Sequence, residues 1–240
     1  MIQIHELYKS FPSQAVLENI SVELMEGRHC ILGKSGSGKS VLLKIILGLE
    51  MPDAGKVYLM KKDQARFTDD DWLAFRNKIG VVFQGSALFD SLTIFENVGI
   101  KLLEEKGIST GKIKEKVIHC LESVGLSKDI LPAYPSSLSG GMRKRVAIAR
   151  AIIHQPEILF YDEPTAGLDP VSASQIDELM LSLSSDTVHT HVIITHDLTT
   201  VRKLATHVHM LGNKGLLYSG GVDGFFRATH PDIQSFLTRE

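Results

Sequence analysis

The sequence predicts an α/β fold in which strands and helices pack in layers. Three observations indicate it. Short segments rich in residues typical of strands recur along the chain, and helical patterns separate them. One of these strands ends at a glycine-rich turn, beginning at Gly33, that leads directly into an apolar helix. A stretch from about Ser91 to Ala151 carries helical spacing and lacks strand patterns. Together these patterns favour a layered α/β domain with a helical portion.

The strand-like segments follow one another in order along the chain. Each is short, and its apolar residues alternate with polar ones or run without interruption. They are IQIHELY from Ile2, AVLENISVEL from Ala15, RHCIL from Arg28, KVYLM from Lys56, KIGVVF from Lys78, EILFYD from Glu157, THVIIT from Thr190 and HVHML from His207. Four histidines alternate in the last two segments and just before them. Because no cysteine or carboxylate stands beside them at a ligand spacing, we interpret them as strand residues rather than metal ligands.

The stretch from 91 to 151 predicts a helical insertion. Its apolar residues recur at helical spacing in two segments, Val117, Leu121 and Val124, then Met142, Val146, Ala149 and Ile153. We therefore expect one domain over residues 1–240 with a helical subdomain inserted at about 91–151. Near the C terminus, Ile233, Phe236 and Leu237 form an apolar helical face after Pro231, which would pack either on the domain itself or on a second subunit.

Composition narrows the class of protein. With 43% hydrophobic residues the chain can bury a large core. Its apolar runs fall short of the roughly 20 residues that a bilayer span needs, and no secretory signal is visible, so we expect a cytoplasmic protein. The net charge of −2, without a long basic run, does not indicate a nucleic-acid partner. Cys30 and Cys120 stand far apart, and we expect both to remain ordinary thiols.

The clearest motif is GKSGSGKS, which occupies residues 33–40 between a strand and a helix. In that context the pattern GxxxxGK[ST] binds nucleotide phosphates. Its glycines let backbone N–H groups converge on phosphate oxygens, and the helix N terminus adds its positive dipole end. We expect Lys39 to reach the β- and γ-phosphates and the Ser40 hydroxyl to coordinate Mg²⁺. The predicted ATP-binding residues are Gly33, Lys34, Ser35, Gly36, Ser37, Gly38, Lys39 and Ser40.

Two acidic residues follow an apolar strand in EILFYDEPTAGLDP. Neighbouring residues at the end of a strand point in different directions. Asp162 is thus suited to hold Mg²⁺ through its water shell, while Glu163 can orient a water molecule toward the γ-phosphate and act as general base. In a protein with a phosphate-binding loop, this pair predicts hydrolysis.

The stretch SLSGGMRKRVAIARAI, beginning at Ser137, resembles the signature motif of ABC-type ATPases. The resemblance implies a P-loop NTPase fold of the ABC ATPase type, with an N-terminal antiparallel β portion and an inserted α-helical subdomain. It also implies a homodimer, because in this family the signature closes over the ATP of the opposite subunit. Ser139, Gly140 and Gly141 would then offer a hydroxyl and backbone N–H groups to that ATP. Met142 stands where the family most often has glutamine, so that residue's contact is absent or replaced.

Four further residues match family motifs in order. Phe11 resembles the aromatic residue that stacks on adenine, and Gln84 resembles the Q-loop glutamine that senses Mg²⁺ and borders the groove for the permease. Asp169 resembles the D-loop residue at the dimer interface, and His196 resembles the switch histidine near the γ-phosphate. The resemblance thus implies ATP and Mg²⁺ as cofactors, integral-membrane permease subunits as partners, and a peripheral position on the cytoplasmic face of the inner (plasma) membrane. The implied catalytic residues are Lys39, Gln84, Glu163 and His196, and the implied metal-binding residues are Ser40, Gln84 and Asp162.

A finer resemblance lies in FQGSALFDSLTIFENV, in the LSGGMRKR form of the signature and in the tail QSFLTRE. These segments are similar to the ATPase subunit of MCE-associated phospholipid transport systems of the Mla type. That similarity implies phospholipid transport between membranes with an MCE-domain lipid-binding protein as partner. Two alternatives stay open: the ATPase of an importer for a small solute such as an amino acid, and a soluble ABC ATPase without a permease. The single domain, without a coiled coil or zinc module, disfavours the second.

Overall fold

The computed structural model describes residues 1–12, 14–105, 107–183 and 188–238. The strands in chain order are β1 Ile2–Phe11, β2 Gln14–Leu24, β3 Gly27–Leu32, β4 Ala54–Leu59, β5 Lys62–Asp63, β6 Ile79–Val82, β7 Ile158–Asp162, β8 Thr190–Ile194, β9 His207–Gly212 and β10 Gly215–Gly221. The helices are α1 Lys39–Ile46, α2 Asp69–Asn77, α3 Ile94–Glu104, α4 Thr110–Ser123, α5 Gly140–Ile152, α6 Pro170–Ser182, α7 Leu198–Leu204, α8 Val222–Phe226 and α9 Pro231–Leu237. Strands and helices thus alternate along most of the chain.

The chain folds into two compact units. The first unit comprises Met1–Arg76 together with Thr190–Glu240, and the second unit comprises Asn77–His189. Between residues 91 and 151 the described part of the chain holds the helices α3, α4 and α5 and no strand. The second unit is larger than this stretch, since it also contains the strands β6 and β7. A separate helical subdomain at about 91–151 therefore stays a prediction.

The first unit contains an antiparallel sheet in the order β2-β1-β4-β5. In the same unit β3 pairs in parallel with both β8 and β9, and β10 continues from β9 as an antiparallel partner. Every residue of β8 is buried, as expected for a parallel strand covered on both faces. The predicted α/β class with an antiparallel N-terminal portion is therefore confirmed.

The histidines that the sequence places in strands form a stacked group in the first unit. His29 Nδ1 lies 3.0 Å from His209 Nε2, and the His29 ring also stacks on His207 with the centroids 4.9 Å apart. His209 in turn contacts the Ser219 hydroxyl at 2.9 Å. His29 and His209 are buried, and His191 is buried in β8. Of the four alternating histidines, His191 and His209 are buried strand residues as predicted, whereas His207 is an exposed strand residue and His189 is exposed and precedes β8.

Helices of the second unit begin at residues whose side chains bond the first turn. Thr93 caps α3 through a reciprocal pair with Glu96: the Glu96 N–H donates to Thr93 Oγ1 at 3.2 Å, and the Thr93 N–H donates to Glu96 Oε2 at 2.7 Å. The Thr93 hydroxyl, which also donates to Glu96 Oε2 at 2.7 Å, and then the Thr93 N–H hold the pKa of the Glu96 carboxyl below its ordinary value. Ser109 caps α4 without a reciprocal partner, since its hydroxyl accepts from the Lys112 N–H at 3.5 Å. The sequence thus sets the starts of these two helices locally.

The C-terminal apolar face is covered by the chain itself. Ile233 and Phe236 of α9 are buried, and Asn213 Nδ2 donates to Asp232 Oδ2 at 3.0 Å, tying α9 to the turn between β9 and β10. Of the two alternatives for this face, packing on the domain is the one observed. The last two residues of the segment QSFLTRE lie outside the described residues. No helix in the described ranges is both long enough and apolar enough to cross a bilayer.

Candidate functional site

The glycine-rich loop of the first unit connects β3 to α1. Gly33 has φ 153° and Gly38 has φ 97°, both positive. A Cβ on Gly33 would lie 2.4 Å from Ser37 Oγ and 2.6 Å from the Leu211 carbonyl oxygen, and a Cβ on Gly38 would lie 2.6 Å from a Leu17 methyl. Because a side chain fits at neither position, the loop can keep this shape only with glycine at both.

Lys39 reaches back into the same loop. Its Nζ donates to the Gly33 carbonyl at 2.6 Å and to the Lys34 carbonyl at 3.2 Å, and the residue is only 8% exposed. The Ser37 N–H bonds the Lys34 carbonyl at 3.1 Å and tightens the turn. Ser40 follows in the first turn of α1 and is exposed. The loop therefore combines a cation, a hydroxyl and a helix N terminus, the groups that bind a phosphate chain.

The sheet brings His196 to the edge where this loop begins. Ile31 of β3 pairs with Ile194 of the parallel strand β8, so Gly33 and His196 each lie two residues beyond a paired position. The Thr195 N–H bonds the Ile31 carbonyl at 3.3 Å and extends the pairing to the strand ends. His196 itself is exposed. Ligands of parallel α/β sheets bind at this carboxyl edge.

Phe11 ends β1 and is 40% exposed. Lys9 Nζ lies 5.3 Å from its ring centroid and is fixed by an ion pair with Glu50 at 2.8 Å. The neighbouring strand β2 contacts the glycine-rich loop, since Leu17 limits the space at Gly38. Phe11 is thus an exposed ring on the hairpin that packs against the loop, a place suited to stacking on a base.

In the second unit, Gln84 and Glu163 follow the carboxyl ends of the two parallel strands β6 and β7. Val82 of β6 pairs with Tyr161 of β7, so each of the two site residues lies two positions beyond that pair. Glu163 has φ 48°, a left-handed backbone that is uncommon for glutamate. Strained backbone of this kind is concentrated at functional sites.

A buried lysine that the motif analysis did not single out joins these two residues. Lys144 of α5 donates a hydrogen bond from Nζ to the Gln84 carbonyl and a second, at 3.3 Å, to the Glu163 carbonyl. Burial lowers the pKa of Lys144, while Asp162 and Glu163 act in the opposite direction. A sequence signal existed, because Lys144 stands at helical spacing from the buried residues Ile148 and Ala151 and so lies on the apolar face of α5.

The signature residues begin helix α5. Ser139 is its N-cap and accepts from the Met142 N–H at 3.2 Å, and Gly140 and Gly141 form the first turn. A Cβ on Gly141 would lie 3.9 Å from Ser172 Oγ, so this turn lies beside the start of α6. The exposed residues Ser139 and Gly140 leave the N-terminal N–H groups of α5 open to an anion from outside the chain.

Asp169 caps α6. Its carboxylate accepts from the Val171 N–H at 3.1 Å, from the Ser172 N–H at 3.0 Å and from the Ser172 hydroxyl at 2.5 Å. The Ser172 hydroxyl in particular holds the pKa of Asp169 below its ordinary value. Asp169 therefore has a local role in starting a helix, whatever it contacts on another chain.

The predicted residues fall into two groups. The first unit holds the loop 33–40, Phe11 and His196, and the second unit holds Gln84, the acidic pair 162–163, the signature 139–141 and Asp169. Each group combines charged or polar side chains at strand ends and helix starts. The fold and these groups define a P-loop ATPase.

Comparison with known proteins identifies the family. The ABC transporter family profile matches residues 17–166. The protein TRIGALACTOSYLDIACYLGLYCEROL 3, chloroplastic, from Arabidopsis thaliana is 36% identical over 99% of this chain and 73% of its own length. The methionine import ATP-binding protein MetN 1 of Listeria monocytogenes is 36% identical over 100% of this chain and 72% of its own length. The chain belongs to the ABC transporter family, as an ATP-hydrolysing subunit.

Solved structures give the same fold. The ATP-binding cassette MJ0796, in a dimeric post-hydrolysis state bound to ADP and Pi, matches with a TM-score of 0.83 and 30% identity, over 92% of this chain and 99% of that one. CbiO1 from Clostridium perfringens, part of the transporter complex cbiONQ, matches with a TM-score of 0.84 and 26% identity, over 99% of this chain and 95% of that one. The loop 33–40 thus belongs to a fold that holds nucleotide in MJ0796.

Proposed function

We propose that two copies of this chain bind two ATP molecules and hydrolyse them with Mg²⁺ to drive a membrane permease that moves phospholipid between membranes. Each ATP is held by the phosphate loop of one copy and by Ser139, Gly140 and Gly141 of the other. Binding closes the dimer, and hydrolysis lets it reopen, which changes the side on which the permease is open. The chain acts as a peripheral subunit on the cytoplasmic face of the membrane.

The observation that carries the ATPase part of this proposal is the loop built on Gly33 and Gly38 with Lys39 inside it. A Cβ at either glycine would fill the space that the backbone needs. The ammonium group of Lys39 is buried and already directed at loop atoms, so phosphate oxygens meet a charge that is held in place. Phe11 supplies an exposed ring for the adenine.

The donor set also fits Mg²⁺. Ser40 offers a hydroxyl, Asp162 a carboxylate and Gln84 an amide oxygen, all hard oxygen donors of the kind that Mg²⁺ prefers. When bound, the ion neutralises charge on the phosphates. Glu163 then acts as general base on the attacking water, and His196 lies at the carboxyl edge beside the phosphate loop, where it can contact the γ-phosphate.

Substitution of Glu163 tests the catalytic assignment. In E163Q the amide cannot accept a proton, so ATP turnover should fall by about 10² to 10⁴-fold while ATP binding persists. Turnover would be measured by phosphate release, binding by equilibrium dialysis, and dimer formation with ATP by light scattering. E115Q on the exposed face of α4 is the matched control and should behave as wild type. Wild-type turnover in E163Q would refute the role of Glu163 as general base.

Three exposed aromatic residues of the second unit support a permease partner. Phe83 is 37% exposed, Phe89 is 50% exposed and Tyr134 is 49% exposed. Two of these residues lie in segments bonded to the start of α3: Asn97 Oδ1 accepts from the Phe89 N–H at 2.8 Å, and the Ile94 N–H bonds the carbonyl next to Tyr134 at 2.8 Å. Exposed aromatic side chains on segments held in this way are typical anchors at protein interfaces.

Two lines of support favour phospholipid as cargo. The segments FQGSALFDSLTIFENV and LSGGMRKR resemble the MCE-associated ATPases, and one relative is named after trigalactosyldiacylglycerol, a lipid. The methionine importer MetN 1 is equally similar at 36% identity, so an importer of a small solute is the second candidate.

Purification from native membranes separates these candidates. The tagged chain would be isolated after gentle solubilisation, and the proteins and lipids that accompany it would be identified by mass spectrometry. A permease together with an MCE-domain protein and phospholipid is the expected result. A permease with a solute-binding protein would instead support the importer, and a purified chain without any membrane protein would contradict transport.

A further inference from the structure

Helix α5 holds the loop after β6 at two points. Lys144 donates to the Gln84 carbonyl, and Arg150 of the same helix donates to the Ser86 carbonyl at 2.9 Å and to the Ala87 carbonyl at 2.7 Å. Ser86 has φ 63° and Ala87 has φ 47°, so this loop has a left-handed backbone without glycine at either position. The hydrogen bonds from α5 therefore stabilise a loop conformation that its own residues disfavour.

Lys144 is the one cation among these that also reaches the loop after β7. Its second hydrogen bond ends on the carbonyl of Glu163, whose backbone is left-handed as well. An ammonium group is a donor only, and both of these partners are carbonyl oxygens of the main chain. Lys144 is 5% exposed, so water does not compete freely for those carbonyls. The two strand ends are thus tied to each other through one buried atom.

We propose that Lys144 is a positioning residue for ATP hydrolysis: its ammonium group fixes the backbone of Gln84 and Glu163 relative to each other. The inference rests on the proposed roles of those two side chains. Because α5 begins at the signature residues Ser139 and Gly140, the same helix links the segment that contacts the other copy's ATP to the general base. Displacement of a catalytic group by about 1 Å can cost on the order of 10² in rate.

Removal of the donor tests the proposal. K144M is one atom shorter, remains unbranched and lacks hydrogen-bond donors, so kcat should fall by about ten- to a hundredfold. KM for ATP should stay within about twofold of wild type, because Lys39 and the phosphate loop remain intact. K144Q is equally uncharged but retains N–H donors, and it should recover most of the lost turnover. K114M, on the exposed face of α4, is the control and should match wild type.

A fold defect can be separated from a positioning defect. Should K144M fail to fold, K144A leaves room for water to solvate both carbonyls, and it should show the same fall in kcat at unchanged KM. Wild-type kcat in a folded K144M or K144A protein would overturn the proposal. A loss in K144Q as large as that in K144M would overturn it too, since a donor would then not be what matters.

The E163Q protein distinguishes this inference from the proposed function. Loss of turnover in E163Q with wild-type turnover in K144M would refute the positioning role and leave the ATPase assignment standing. Wild-type turnover in E163Q would instead remove the catalytic assignment on which the role of Lys144 depends. Loss of kcat in both proteins, with recovery in K144Q, is the result that we expect.

Discussion

The phosphate loop of the first unit and the loops after β6 and β7 in the second unit all contain residues with positive φ, but different contacts stabilise that backbone. All three follow the carboxyl end of a parallel strand and contain residues with positive φ. The first uses glycine, at Gly33 and Gly38, and its carbonyls accept hydrogen bonds from Lys39 of the same short segment. The others place Ser86 and Glu163 in the left-handed region and depend on cations of α5. One conformation is therefore encoded locally, and the others come from tertiary contacts.

A methyl group in the phosphate loop should have the largest effect. G33A would force a Cβ to within 2.6 Å of the Leu211 carbonyl oxygen at φ 153°, so the loop must shift. We expect a loss of about 3 kcal/mol in ATP binding free energy, roughly a hundredfold in Kd. At Gly36, where φ is 78° but a Cβ meets nothing within 4 Å, G36A should cost only about 1–2 kcal/mol. The Kd for ATP of both variants would be measured by titration calorimetry. Equal values would show that the close contacts at Gly33 do not determine the shape of the loop.

Loss of the arginine contacts should have a smaller effect, on stability. R150M removes the donors to the Ser86 and Ala87 carbonyls and should lower the free energy of unfolding by about 2–3 kcal/mol. R150K, which can replace one of the two bonds, should lie between R150M and wild type. Urea unfolding would measure the difference, provided that the dependence of the unfolding free energy on urea concentration is the same in all three proteins. An unchanged midpoint for R150M would mean that the loop keeps its left-handed backbone without help from α5.

The effect that is smallest for each side chain depends on pH and concerns the first unit. Burial above all lowers the pKa of His29 to about 4 and that of His209 to about 3, against an ordinary value of 6.5. The unfolded chain therefore binds protons more tightly than the folded chain does. The stability that these neutral histidines contribute is fully present above pH 6.5 and is lost as the pH falls toward 4. For each of these two histidines we expect a loss on the order of 2 kcal/mol between pH 7 and pH 5. Denaturant unfolding at both pH values would measure it, and a smaller loss in H29Q would identify the group responsible.

Much of the fold could be predicted because its patterns are local. The eight strand-like segments correspond to β1, β2, β3, β4, β6, β7, β8 and β9, and the phosphate loop was identified from spacing alone. The missed strands, β5 and β10, are short or rich in glycine, and both form through hairpins. Met60 and Lys61 take φ 54° and 69° between β4 and β5, and Asn213 and Lys214 take φ 51° and 65° between β9 and β10. Met and Lys are unusual in such turns, so the first hairpin gave no sequence signal.

The candidate site likewise contains residues that local motifs predict and contacts that depend on tertiary packing. Single residues such as Lys39 and Asp162 could be assigned from motifs, because each motif has a fixed place relative to a strand or helix. The contacts of Lys144 and Arg150 could not, since they depend on which loops α5 packs against. The sequence pattern showed only that a lysine shares the apolar face of a helix, which is a reason to look for a buried acceptor.

The order of the chain has a consequence for how this protein is made. β3 has its partners in β8 and β9, and its first pair, Gly27 with Thr190, joins residues about 160 positions apart. Asn77–His189 is by contrast a continuous segment whose contacts are nearer in sequence. Because closing long loops is slow, we expect residues 77–189 to fold first as they leave the ribosome, while the strand that leads into the phosphate loop waits until β8 and β9 have been made. A newly made chain would then acquire the ability to bind ATP only after residues 77–189 have already folded.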